Sequence, residues 1–285
     1  MTTVRPVGEP VDPQGPDAET PRRSGGVRAL WAGNPWAVVQ RGLLAARSSS
    51  GILVVSGFFE PVFYLASMGI GLGALIGNVQ TSAGVEVSYA AFIAPALLAV
   101  SAMNGAIYDS TWNVFFKLNY GKLYEGMLST SLGPLDVALG EILYALMRGL
   151  LYATGFMVIM QITGLNLSWT AILALPAVLL IAFGFASVGM AVTSYMKAFQ
   201  QMDWINFVLL PMFLFSATLY PITVYPEWIQ VIVKIFPLYH GVELVRGLTT
   251  GALYWGMLWS VLYYVVMIAF GLVFTTKRLR ALFLD

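Results

Sequence analysis

Long apolar runs separated by short polar breaks organise the chain, and they occupy roughly 52–77, 88–108, 137–163, 171–196, 205–220 and 253–276. An α-helix needs about 20 apolar residues to cross a hydrocarbon core about 30 Å thick, so each run is long enough, or nearly so, to span a bilayer. The pattern therefore predicts an all-α polytopic membrane protein of six transmembrane helices. The fifth run is short, and Pro221 and Pro226 break its exit. The segment 220–248 that follows, YPITVYPEWIQVIVKIFPLYHGVELVRGL, mixes prolines with interfacial aromatics around Trp228 and reads as paired short or re-entrant helices on the outer side. Non-helical backbone at membrane depth is tolerated only where protein buries it or a cavity adjoins it, so this segment is expected to line something.

Upstream of the runs the pattern changes twice. Residues 1–33 are interrupted by Pro6, Pro10, Pro13, Pro16 and Pro21 and read as a disordered tail, with the first span expected to serve as its own insertion signal. From 34 to 50, Pro35 suits a first helical position, and Trp36, Val39 and Leu43 fall opposite Gln40, Arg41 and Arg47. That is an amphipathic helix, suited either to the membrane plane or to docking on a partner protein. Residues 51–280 form the transmembrane domain, with a loop at 109–136 and the outer segment at 221–250, and 281–285 close the chain.

Composition narrows the class. Hydrophobic residues make up 58% and charged residues only 10%, whereas soluble domains carry about a quarter charged residues. A water-soluble protein is thereby excluded. The net charge of +1 and the absence of cysteine give no sign of nucleic-acid binding, thiol chemistry or thiolate metal sites. Lys and Arg set the orientation: Arg41, Arg47, Lys117, Lys122, Lys197, Lys277, Arg278 and Arg280 fall with the N-terminal arginines on one side, against Lys234 and Arg246 on the other. Both termini are therefore expected in the cytoplasm of a cell-membrane protein.

Chemistry-bearing motifs are few. No G-x-x-x-x-G-K-[ST] loop is present, so the chain is not expected to bind and hydrolyse ATP in that manner alone. His240 reads as an interfacial structural histidine rather than a metal ligand. Ionisable groups within spans are functional candidates by default, and these are Glu60, Glu141 and Arg148. Glu60 and Arg148 lie at comparable depth and are expected to pair across the first and third spans, as a register-fixing contact or part of a path. Pro61 is expected to kink the first span, and Gly69, Gly71, Gly73 and Gly77 to permit close helix packing. In the 109–136 loop, Lys117, Tyr120, Lys122, Tyr124 and Glu125 mingle with Phe115, Phe116, Leu118 and Leu123. Such a mixture predicts a helix docking on a cytoplasmic partner, the alternative being an extension of the second span.

Four blocks together resemble the permease subunits of type-2 ATP-binding-cassette exporters, in the branch of lipooligosaccharide and anthracycline-resistance permeases. They are FFEPVFYLASMGIGLG at 58–73, YAAFIAPALLAVSAMNGAIYDST at 89–111, KLYEGMLSTSLGPLDVALGEILY at 122–144, and the outer segment with its Pro, Pro-x-Trp, Pro-Leu and Glu-x-x-Arg order. One departure is Ala96 after Pro95, where many relatives have Gly. The resemblance implies a six-helix subunit that dimerises with a copy or paralogue. It also implies a separate ATPase that carries ATP and Mg, a coupling element around Lys117–Glu125, and an outer segment, bearing Pro221, Pro226, Trp228, Glu243 and Arg246, near the exit of the path. The resemblance carries over no substrate-binding motif, and a path lined by Phe, Tyr, Met and Leu suits an amphipathic, lipid-linked, glycan or drug-like cargo. Two other classes stay open: a lipid-linked transferase, disfavoured because Asp109, Glu125, Asp136 and Asp203 are dispersed, and an ion-coupled transporter, disfavoured because spans two, four, five and six carry no charge in their interiors.

Overall fold

A computed structural model describes residues 31, 33–47, 59 and 61–283. Helix α1 (Pro35–Arg47) precedes α2 (Pro61–Ile76), a β-hairpin of β1 (Asn78–Gln80) and β2 (Glu86–Ser88), and the long α3 (Tyr89–Tyr120). Then come α4 (Leu123–Leu128), α5 (Pro134–Ile162), α6 (Trp169–Thr193), α7 (Asp203–Phe215), α8 (Glu227–Val233), α9 (Pro237–Thr250) and α10 (Gly256–Phe283). Among the described residues, four helices are long and apolar enough to cross a membrane: α3, α5, α6 and α10. The bent pair α8–α9, turning by 90°, would make a fifth. The predicted first run is described only from Pro61, so the kink expected there and the tail at 1–30 lie outside the described residues, and the fifth run shortens to the 13 residues of α7.

α3 is the central helix, packed by α5, α6 and α9, and its Phe92, Ile93 and Ala94 are fully buried. It runs through Pro95 and past the apolar stretch to Tyr120, so the second span extends through 109–120 and the loop proper is much shorter than expected. Two wider π-turns, Asp109–Asn113 and Phe116–Tyr120, interrupt it. The first presses Ser110 against Gly189 of α6, where a Cβ could not fit.

α6 and α10 pack most extensively. Small residues let their backbones approach: a Cβ on Gly271 would lie 2.5 Å from the Ser187 backbone, and one on Gly184 2.6 Å from the Tyr264 ring. The buried Tyr264 hydroxyl donates to the Pro237 carbonyl at 2.7 Å, fixing the start of α9.

The hairpin departs from the all-α expectation. It pairs Asn78 with Ser88 and Gln80 with Glu86, and its turn places Gly84 at φ 78°, a conformation open to glycine. Of the α2 glycines only Gly69 makes a close approach, its absent Cβ falling 3.3 Å from Ala90, while Gly71, Gly73 and Gly77 face open space.

Candidate functional site

At one end of the bundle α1 is welded to α5. Pro35 opens the helix, Val38 and Val39 are buried, and a Cβ on Gly140 would meet the Val38 Cβ at 2.5 Å and the Pro35 carbonyl at 2.6 Å. Gly42 lies equally close to the Tyr144 ring. The amphipathic face that sequence assigned to a membrane or partner is thus partly buried on the chain's own helix, while Trp36, Leu43 and Leu44 remain exposed. Asp136, wholly buried at the start of α5, accepts the Gly33, Asn34 and Gly133 backbone N–H groups at 3.1, 3.0 and 2.9 Å. A carboxylate at a helix N-terminus is favoured by the orphan donors and the dipole there.

Glu141, one turn further along α5, joins three elements. Its Oε1 accepts from Arg41 Nη2 of α1 at 3.3 Å and its Oε2 from Lys117 Nζ of α3 at 2.5 Å. Glu141 is therefore a junction residue at the end of the bundle. Beside it Tyr124 is fully buried, and burial reinforced by the Glu141 carboxylate raises its phenol pKa well above the ordinary value. Tyr124 anchors α4 instead of meeting a partner. Of the residues expected to contact an ATPase, Tyr120, Lys122 and Glu125 are exposed, with Lys122 in the left-handed conformation at φ 45°.

The same tip connects to α7 through aromatic rings. Phe199, in the 3₁₀ turn Phe199–Met202 that leads into α7, lies 5.1 Å from the Trp112 ring and 5.9 Å from that of Phe116, which in turn lies 5.5 Å from Tyr120.

Deeper in the bundle Arg148 pairs with Asp109, an acid that sequence reading left in a loop. Asp109 is buried because α3 continues past it, and Asn113 donates to it at 2.8 Å. Glu60, the expected partner, lies outside the described residues. Arg148 opens onto a cavity of about 750 Å³ between α2, α3, α5 and α7, walled by Leu97, Asn104, Trp112, Asn206 and Phe213 among others.

At the opposite end a second buried pair holds the outer segment. Pro221 and Pro226 end one chain direction and start another, as N-caps of the 3₁₀ turn Ile222–Val224 and of α8, and Trp228 is exposed. Arg246 Nη1 bonds Glu243 Oε1 at 2.9 Å, one helical turn apart on α9. Its other nitrogens donate to the carbonyls of Phe92 on α3 and Ala217 at 3.2 and 2.9 Å, and its guanidinium lies 3.8 Å over the Phe92 ring. Ala217 is left-handed at φ 54° just beyond α7, so Arg246 pins the unwound end of that helix. His240 is ordered by two contacts: Nε2 donates to the Lys234 carbonyl at 3.0 Å, which leaves Nδ1 to accept from the Ser260 hydroxyl at 3.2 Å.

The family model described as ABC-2 type transporter matches residues 35–250, well over half of the chain. The chain belongs to the ABC-2 type transporter family. Relatives named nodulation protein J cover most of it: that of Rhizobium leguminosarum bv. viciae is 32% identical over 79% of this chain and 86% of its own length. Those of Sinorhizobium fredii and Azorhizobium caulinodans are 31% and 26% identical, covering 76% and 82% of this chain and 83% and 92% of theirs. This ABC-2 protein is therefore a membrane permease subunit and not an enzyme, and its family implies an ATP-binding-cassette ATPase as partner.

Proposed function

We propose that the permease serves an exporter that carries an amphipathic molecule, such as a lipid-linked, glycan or drug-like compound, out of the cytoplasm or the inner leaflet. It spans the membrane six times with both termini inside, pairs with a copy or paralogue, and binds no cofactor itself. ATP and Mg sit on the separate ATPase. The observation that carries the reading is the tip at 116–125, which exposes Tyr120, Lys122 and Glu125 yet is tied inward by two routes. Lys117 links it through Glu141 to α5 and α1, and Phe116 links it through Phe199 to α7, a wall of the cavity. Movement imposed on the tip by ATP binding would thereby reach the helices around the cavity, and such differential contact is what a two-state change requires.

The test is charge reversal. Lys117→Glu with Lys122→Glu is expected to leave ATP hydrolysis by the assembled complex running while export stops. Because Lys117 also holds Glu141, Tyr120→Ala with Lys122→Glu, both at exposed positions, separates coupling from folding and should uncouple equally. Normal export by either variant contradicts the assignment of the tip.

A further inference from the structure

The cavity between α2, α3, α5 and α7 presents a single charged group among its described lining residues, the Arg148 guanidinium. Its counter-ion stands behind it. The Asp109 side chain is 6% exposed, that of Arg148 29%, and the Asp109 carboxylate is further occupied by Asn113. The pair is therefore oriented with its positive end toward the cavity. Arg148 Nε, moreover, is buried and meets no acceptor among the described residues. Ser101, Asn104 and Asn206 add hydrogen-bonding groups to the same walls, and both carboxamides are exposed.

The same walls also carry apolar side chains, Leu97 of α3 and Leu209 and Phe213 of α7 among them. From Trp112 to Leu97 along α3 is about 22 Å at 1.5 Å per residue, the reach of an extended acyl chain. Polar side chains at bilayer depth persist where they face a cavity with a partner to receive them.

We propose that this cavity takes an anionic amphiphile, with its phosphate or carboxylate oxygens on Arg148 and its chain along Leu97, Leu209 and Phe213. The inference rests on the cavity being part of the transport path, and it names the chemistry that the path selects. Neutral amphiphiles lack the charge that Arg148 offers to meet, and cationic ones meet like charge.

The test uses the full chain with its ATPase in phosphatidylcholine nanodiscs. The probe is stearic acid carrying a nitroxide near its carboxyl, at alkaline pH so that the carboxyl is ionised, and its methyl ester is the uncharged control. The readout is saturable quenching of Trp112, isolated among the 8 tryptophans as the part lost in Trp112→Phe. The acid is expected to bind about tenfold more tightly than the ester, and that preference should vanish in Arg148→Gln with Asp109→Asn, a variant that keeps the buried pair uncharged. Should that variant fail to fold, Asn206→Asp puts a carboxylate on an exposed cavity wall and should abolish the preference as well. Equal, saturable quenching by acid and ester overturns the proposal and leaves the path intact. Absence of saturable Trp112 quenching by either probe overturns the path reading and the proposal together.

Discussion

Arg246 meets four groups at once, the Glu243 carboxylate, the Phe92 ring and the carbonyls of Phe92 and Ala217, and Glu243 in turn accepts from the Tyr254 hydroxyl at 3.5 Å. Removing one partner of a buried ion pair strands the other and costs about 3–5 kcal/mol. Arg246→Ala is therefore expected to lower the thermal unfolding midpoint of the purified permease sharply, and Arg246→Met with Glu243→Gln to lower it much less; equal losses would show that the pair carries no special weight. Glu-x-x-Arg, whose spacing lets both side chains share one helical face, was legible as a mark of the outer segment. Asp109 was not. It stands where an apolar run meets polar residues, and a window of hydrophobicity ends the helix there, while the helix itself continues because Arg148 neutralises the carboxylate and α6 offers Gly189 as a recess. Tyr124 misled for the opposite reason: an aromatic beside Lys and Glu reads as surface, yet the short α4 turns it inward.

Helix boundaries were clearer than helix partners. Pro35 marked the start of α1, and the prolines at 221, 226 and 237 marked each change of direction in the outer segment, since a missing N–H and a fixed φ act locally. That α1 lies on α5 could not be read, because the deciding feature is a pair of glycines distant in sequence, Gly42 and Gly140. Their role gives a direct test. Gly140→Val drives two methyl groups toward Val38 and Pro35, and overpacking of this kind costs about 1–3 kcal/mol. The chain has no cysteine, so Val39→Cys, at a fully buried position, reports on the contact. Its thiol should react slowly in the otherwise unchanged protein and much faster alongside Gly140→Val. Equal rates would mean that α1 is not held where the structure places it.

Across the whole molecule the packing is uneven. α3, α6, α9 and α10 share one core, whereas α2 and α7 flank α3 with outward apolar surfaces; Leu75 is 83% exposed and Phe207 70%. Those faces stand open, and the glycines of α2 leave room there for close approach by another helix. Membrane character was legible throughout, since it depends only on run length and composition. The cavity was not, because it needs four helices brought together around Arg148.

In the proposed mechanism the permease moves only when a separate motor acts on its tip. Proteoliposomes holding the chain alone, or the chain with its ATPase, measured for ATP hydrolysis and for release of a spin-labelled amphiphile, decide the matter. Hydrolysis and release are expected only with the ATPase present. ATP turnover or gradient-driven release by the chain alone would contradict the account.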